Sequence, residues 1–533
     1  MRERWTYQAV VFLGAFLTFC LELAVAKMLL PRFGGSAYVW TTCVMFFQGL
    51  LLAGYGGCHA ALRRWGAGRY ARGHLILLFV PFFFFPLRLP AALAAAGPTT
   101  DLLWALARCV GAPFLVLSTT VLVVSGWLMR SSLSERDDSY VLFGASNLGA
   151  LTALFAYPFL IEPFLPLDVQ STLWTCLYAG YVLLTWSCRP RVSVPDAGTS
   201  PAAETLTARR RVLWLLLSAA PCAAMLATSN LLTLDFAAVP LLWVAPLAVY
   251  LATFVLNFKR RPWYPGRLNS ALLPILGVWV ALCLGLAALA VLRSPESTPV
   301  QTLRRLMDVG KFGYVTAALF VVGMIGHRSL AAGRPASERG MSEYYSWIAA
   351  GGFFGSLCVG VLVPWLGRGV AVLSLDWIAA GLLALGAMAL RDWDGLSRWA
   401  RAHRRWAAAL AGLALLAAAG GVRARRSSER SDGVVFALRN FYGIYTVADH
   451  DGVREFFHGN TDHGMQSLDP AKAEVPLSYY NEHSPLFDAY DALGKNWRRV
   501  GVVGLGAGTL AAYGRPGQAM DFYELDPDVA RIA

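Results

Sequence analysis

Apolar runs long enough to cross a bilayer recur along about the first 430 residues, and no water-soluble core accommodates so many. About twelve are read, at residues 9–30, 38–62, 73–92, 102–129, 140–161, 170–188, 212–232, 236–258, 270–292, 312–332, 344–366 and 371–390. A thirteenth, shorter run covers 406–422. The chain is 56% hydrophobic and only 15% charged over 533 residues, which fits a multi-spanning membrane protein. The first run carries no small-residue cleavage pattern, so it reads as a span rather than a removable signal.

Charge divides the chain in two. Residues 432–533 hold 8 Lys/Arg against 14 Asp/Glu, leaving 38 against 19 for residues 1–431. The basic excess lies beside apolar runs: Arg63, Arg64, Arg69 and Arg72, then Arg209-Arg210-Arg211, Lys259-Arg260-Arg261, and Arg328 onward. Such loops mark the cytoplasmic side of a membrane and not a nucleic-acid surface. The N-terminus is therefore expected in the cytoplasm of a bacterial inner-membrane protein whose main partner is the lipid bilayer. All nine cysteines lie at or before Cys358 and none forms a CxxC, which reads as buried small side chains with no metal.

An internal repeat accompanies the runs. Trp40 and Trp243, each opening an apolar stretch, are 203 apart; the small-residue stretches 144–150 and 350–356 are 206 apart, as are Pro158 and Pro364. Two six-helix copies in parallel predict a major-facilitator-like body, with the small residues allowing close helix approach. Intramembrane charges are few. Glu22 and Lys27 in the first run are functional candidates, or else a structural pair; Asn147 and Asp235 are weaker ones.

The expected boundaries are a first membrane half at 1–190, a cytoplasmic linker at 191–211, a second half at 212–393 and the extra apolar segment at 404–423. A β-hairpin and substrate-side region follows at 432–497, then the first part of an α/β Rossmann-like, methyltransferase-type domain at 498–533. In the hairpin, residues 436–447 form one strand, 449–452 the turn and 453–459 the return. A helix is expected at 484–493. Val500 to Val503 reads as a buried strand entering the glycine turn Gly504, Gly506, Gly508. Glu524 and Asp526 end a second strand about twenty residues on.

The run from Arg439-Asn440-Phe441-Tyr442-Gly443 through His463-Gly464-Met465-Gln466, Tyr479-Tyr480, the glycine turn and Tyr523-Glu524-Leu525-Asp526-Pro527 resembles the spermidine synthase family. It is most similar to the bacterial branch fused to a membrane domain. The resemblance implies aminopropyl transfer from decarboxylated S-adenosylmethionine, a co-substrate and not a resident cofactor, to putrescine. It places Gln466, Tyr479 and Tyr480 beside polyamine and nucleoside substrates, and Gly504, Gly506, Gly508, Glu524 and Asp526 on the nucleoside side. Ala507 departs from the aspartate usual in that turn, and the family's catalytic aspartate would lie beyond Ala533. Residues 498–533 are therefore expected to form no stable nucleotide site alone, and the chain to be inactive as a transferase. The alternative is a major-facilitator-like carrier or scaffold, with polyamines as one candidate cargo and a homo-oligomer left open. A methyltransferase sharing the turn is disfavoured by Gln466 and Tyr479-Tyr480.

Overall fold

The computed structural model describes residues 2–91, 97–129, 138–188, 207–235, 243–259, 261–270, 298–335, 338–366, 374–402 and 433–533. The runs at 270–292 and 406–422, the segment 404–423 and most of the linker 191–211 lie outside these residues. What they form is a multi-pass helical membrane body with a small C-terminal β unit. Among the described residues, seven helical stretches are long and apolar enough to cross a membrane, from Trp5–Phe33 to Gly340–Leu366.

The first set of helices is α1 (Arg2–Phe33), α2 (Ala37–Leu77), α3 (Pro98–Leu106), α4 (Ala112–Met129), α5 (Asp138–Ala156) and α6 (Leu167–Ser187). The second set is α7 (Ala208–Asp235), α8 (Val244–Asn257), α9 (Thr298–Ala332), α10 (Glu338–Leu357) and α11 (Ser374–Arg391); a short α12 (Trp393–Ala402) follows. Single π turns carry α3 into α4 at Ala107–Gly111 and extend α5 at Tyr157–Ile161 and α10 at Cys358–Leu362.

Arginine contacts gather the basic termini at one end. Arg210 donates to Gly333 O past α9 (3.0 Å), Arg211 pairs with Glu343 near the start of α10 (2.7 Å), and Arg209 pairs with Asp394 of α12 (3.4 Å). His59 Nδ1 meets Ser342 Oγ at 2.8 Å on the same side. At the opposite end Lys27 pairs with Glu162 at the tip of α5. Lys27 therefore answers Glu162 and not Glu22, and it sits half-exposed away from the bundle centre.

Residues 73–92 do not make the continuous span expected. Gly66 breaks α2 with φ 73°, helix resumes only to Leu77, and a 3-10 turn at Val80–Phe84 leads into extended chain. Pro81, Pro86 and Pro90 remove amide donors that a helix would need. Non-helical backbone at this depth must find partners inside the protein. Tyr178 OH donates to Leu78 O (2.9 Å), and Ser171 Oγ accepts from Leu87 N (2.8 Å), so α6 supplies them.

Close approach explains the two small-residue stretches. A Cβ on Gly149 of α5 would lie 2.2 Å from Phe12 O of α1; one on Gly355 of α10 would lie 2.4 Å from Ala219 O of α7. These glycines are the pair that the 206-residue offset equates. Trp40 and Trp243, the pair 203 residues apart, stack on one another with ring centroids 3.3 Å apart.

The β unit differs from the hairpin expected. Residues 436–447 are split between β1 (Val434–Arg439) and β2 (Ile444–His450) because Asn440 Oδ1 accepts from Tyr442 N (2.8 Å) and Gly443 N (3.1 Å), folding a turn there. The anticipated turn at Asp451-Gly452 joins β2 to β3 (Val453–His458), with φ 47° and 80°. The polar stretch beyond forms β4 (Thr461–Ser467), completing a four-stranded antiparallel sheet. Helix α13 (Pro485–Leu493), capped by Ser484, leads to β5 (Arg499–Val503) and β6 (Ala519–Tyr523), which pair in parallel, and α14 (Pro527–Ile532) follows. The link between β5 and β6 holds a five-residue 3-10 helix, Thr509–Tyr513, instead of the α-helix of a Rossmann unit. The described residues thus give a few strands, not the start of a methyltransferase-type domain.

Replacing Gly149 or Gly355 by valine should force α5 from α1 or α10 from α7 and destabilise the body by about 1–3 kcal/mol or more. Thermal unfolding in detergent checks this; an unchanged midpoint for both variants would contradict the close-approach reading.

Candidate functional site

A cavity of about 220 Å³ lies between the two helix sets. The first set contributes Glu22 from α1, Gln48 and Tyr55 from α2, and Ser146 and Asn147 from α5; the second contributes Ser218 from α7, Tyr250 and Phe254 from α8, and Tyr345 from α10. The walls are largely aromatic and aliphatic. Among the described residues Glu22 has no hydrogen-bond or ion-pair partner and is the cavity's one ionisable carboxylate. A carboxylate held in a membrane body without a partner is costly, and a functional role is its default explanation. Glu22 and Asn147 were legible as intramembrane polar residues. Gln48 and Ser146 were not, because no feature of a single sequence says which helix face meets the other set.

Trp40 also lines the cavity and stacks on Trp243. Next to it a buried polar chain begins. Thr41 Oγ1 lies 2.8 Å from Asn230 Oδ1, Asn230 Nδ2 donates to Asp376 Oδ2 (2.9 Å), and Arg439 Nη2 donates to Asp376 Oδ1 (2.8 Å). Both members of the Arg439–Asp376 pair have fully buried side chains. The Arg439 guanidinium also stands 5.1 Å from the Tyr38 ring centre. The β unit is thereby fastened to α2, α7 and α11.

The residues expected around a nucleoside are otherwise engaged. Glu524 accepts from Leu505 N (2.9 Å) and Asp526 N (3.0 Å), so it braces the glycine turn. Asp526 is buried, caps α14 through Asp528 N (2.9 Å) and accepts from Asn440 Nδ2 (2.7 Å). Gly504, Gly506 and Gly508 all take left-handed φ, of 88°, 58° and 78°. Their turn lies against β4 of the same chain: Ala507 N donates to His463 O (3.2 Å), and a Cβ on Gly506 would stand 2.8 Å from that oxygen. At Gly506 the turn needs glycine to meet a strand, which the sequence could not distinguish from meeting a ligand. Gln466 donates to Ala473 O (3.3 Å) on the surface, Tyr479 is exposed, and Tyr480 offers its carbonyl to Tyr513 OH.

Burial, then the neighbouring His463, holds His458 below its ordinary pKa, and burial does the same for His463. Burial foremost, with Asp526 beside it, raises the Tyr445 phenol. Among the described residues no group of three or more His, Cys, Asp or Glu side chains converges as a metal site would require.

No family model matches the chain and no curated protein matches it. Among solved structures it is similar to the nucleoside transporter NupG, at 16% identity and TM-score 0.43, covering 74% of this chain and 100% of that one. It is also similar to the human organic anion transporter MFSD10 (TETRAN), at 16% identity and TM-score 0.42, covering 73% and 99%. A point mutant of NupG matches at 12% identity and TM-score 0.43, covering 73% and 99%. The expectation of a spermidine synthase, with its polyamine biosynthesis and transferase chemistry, is corrected accordingly. No family or curated match carries it, and Glu524 and Asp526 are bonded to the chain's own backbone.

Asp376→Ala would leave the Arg439 charge buried and unpaired, a loss of about 3–5 kcal/mol. Limited proteolysis of the purified protein should then release the β unit at much lower protease concentration than in the native chain. Equal resistance would show that the pair does not hold the unit.

Proposed function

We propose that this protein is a major-facilitator-like membrane carrier whose substrate site is the cavity between the two helix sets. The observation that carries this reading is Glu22, a carboxylate without a partner among the described residues, facing a cavity lined from both sets. The 206-residue offset between Gly149 and Gly355 supports treating the sets as two halves of a repeat, and carriers place substrates where such halves meet.

The lining favours a small organic cation. Glu22 offers the countercharge, Tyr55, Tyr250 and Tyr345 offer ring faces, and among the described residues no Lys or Arg lines the cavity to oppose a positive charge. Amines, including diamines, and quaternary ammonium ions fit this description. The basic loops support placing the N-terminus in the cytoplasm of a bacterial inner membrane. The β unit, docked at the other end, would then face outward.

Uptake into proteoliposomes tests the reading with tetraethylammonium, putrescine and, as an uncharged comparison, uridine. At least one cation should be taken up saturably, and Glu22→Gln should reduce that uptake about tenfold or more, since truncating one partner of a desolvated charge pair costs upward of 2 kcal/mol. Uptake of uridine alone, or cation uptake indifferent to Glu22→Gln, would overturn the cation assignment.

A further inference from the structure

Opening a cavity between two helical halves to one side requires the halves to part at that side. At the end bearing the Lys27–Glu162 pair, the β unit touches both. Toward the first set, Phe441 O accepts from Ser36 Oγ (3.1 Å), Arg439 stands over Tyr38, and Ile444 packs on Ala37. Toward the second set, Arg439 pairs with Asp376, Ile444 packs on Leu234, and Gly459 comes so close to Leu234 O that a Cβ would lie 2.7 Å from it. One residue, Ile444, thus bridges the tip of α2 and the tip of α7. One chain of hydrogen bonds, Thr41 to Asn230 to Asp376 to Arg439, runs from the first set through the second into the unit.

We infer that the C-terminal β unit is a clamp. It holds the two helix sets together at its end, and the cavity opens there only after Arg439 and Ile444 have let go. The contact is bistable by chemistry. The buried ion pair tolerates no gradual separation, because stretching it leaves both charges desolvated without a partner. The seal and the cavity are also continuous in sequence, since Trp40 lines the cavity and Thr41 begins the network. A partner or ligand that draws the unit away would therefore release transport. That consequence rests on the carrier reading, whereas the clamp itself rests on the contacts.

The test reads accessibility and not transport. In full-length protein carrying Cys176→Ser, to remove the thiol that is exposed among the described residues, Asn147→Cys reports the cavity. A membrane-impermeant maleimide is applied from the β-unit side of proteoliposomes. With the clamp intact, labelling should be slow. In the charge-free pair Asp376→Asn with Arg439→Gln it should accelerate about tenfold or more, an equilibrium shift that a difference of about 1.4 kcal/mol produces. If that variant does not fold, Phe441→Ala with Ile444→Ala, which trims the contact without touching charge, takes its place. An unchanged rate in a folded, loosened variant would overturn the clamp. Accelerated labelling in a protein that transports none of the tested solutes would keep the clamp and remove the carrier reading.

Discussion

In a membrane body every polar group must find its partner inside the protein, and the architecture follows from how this chain meets that demand. Arg439 and Asp376 are the sharpest case, since neither side chain reaches solvent and each is tolerable only because of the other. Their pairing draws a strand of the β unit onto the tips of the helices. Asn230 and Thr41 extend the same logic across the two helix sets. The irregular crossing before α3 survives for the same reason, with Tyr178 and Ser171 answering its backbone. Glu22 stands apart as the carboxylate for which no such answer is made among the described residues.

The helical body was written plainly in the apolar runs, because bilayer thickness sets a length that few other folds demand. The spacings singled out residues that lie at close contacts: Trp40 and Trp243 meet at one stack, and Gly149 and Gly355 each let two helices approach. The failure at residues 73–92 had a visible signal in Pro81, Pro86 and Pro90, which hydropathy alone overrides. The split of residues 436–447 turned on the Asn440 side chain folding the backbone back, a local hydrogen bond that β propensity does not register.

The site was half legible. Charge in an apolar run pointed to Glu22 and Lys27, yet only the fold separates them, sending one into the cavity and the other to Glu162. The glycine turn admits two readings for a physical reason. Three left-handed glycines give a backbone that can approach something closely, and sequence does not say what. Here the neighbour is β4, and the acids read as ribose ligands are braces for the turn and a cap for α14. Arg439, Asp376 and Asn230 escaped sequence reading because they lie in three segments far apart in the chain.

Two helix sets around a shared cavity, with a stacked tryptophan pair and a docked β unit, make a structure that must move as two bodies if it carries solutes. Double electron–electron resonance between spin labels at the exposed positions Val169 of α6 and Ile378 of α11 measures that motion directly. The account predicts two distance populations at the β-unit end, whose ratio shifts when a transported cation is added. A single distance, unmoved by any cation tested and by loosening of the Arg439–Asp376 pair, would contradict it.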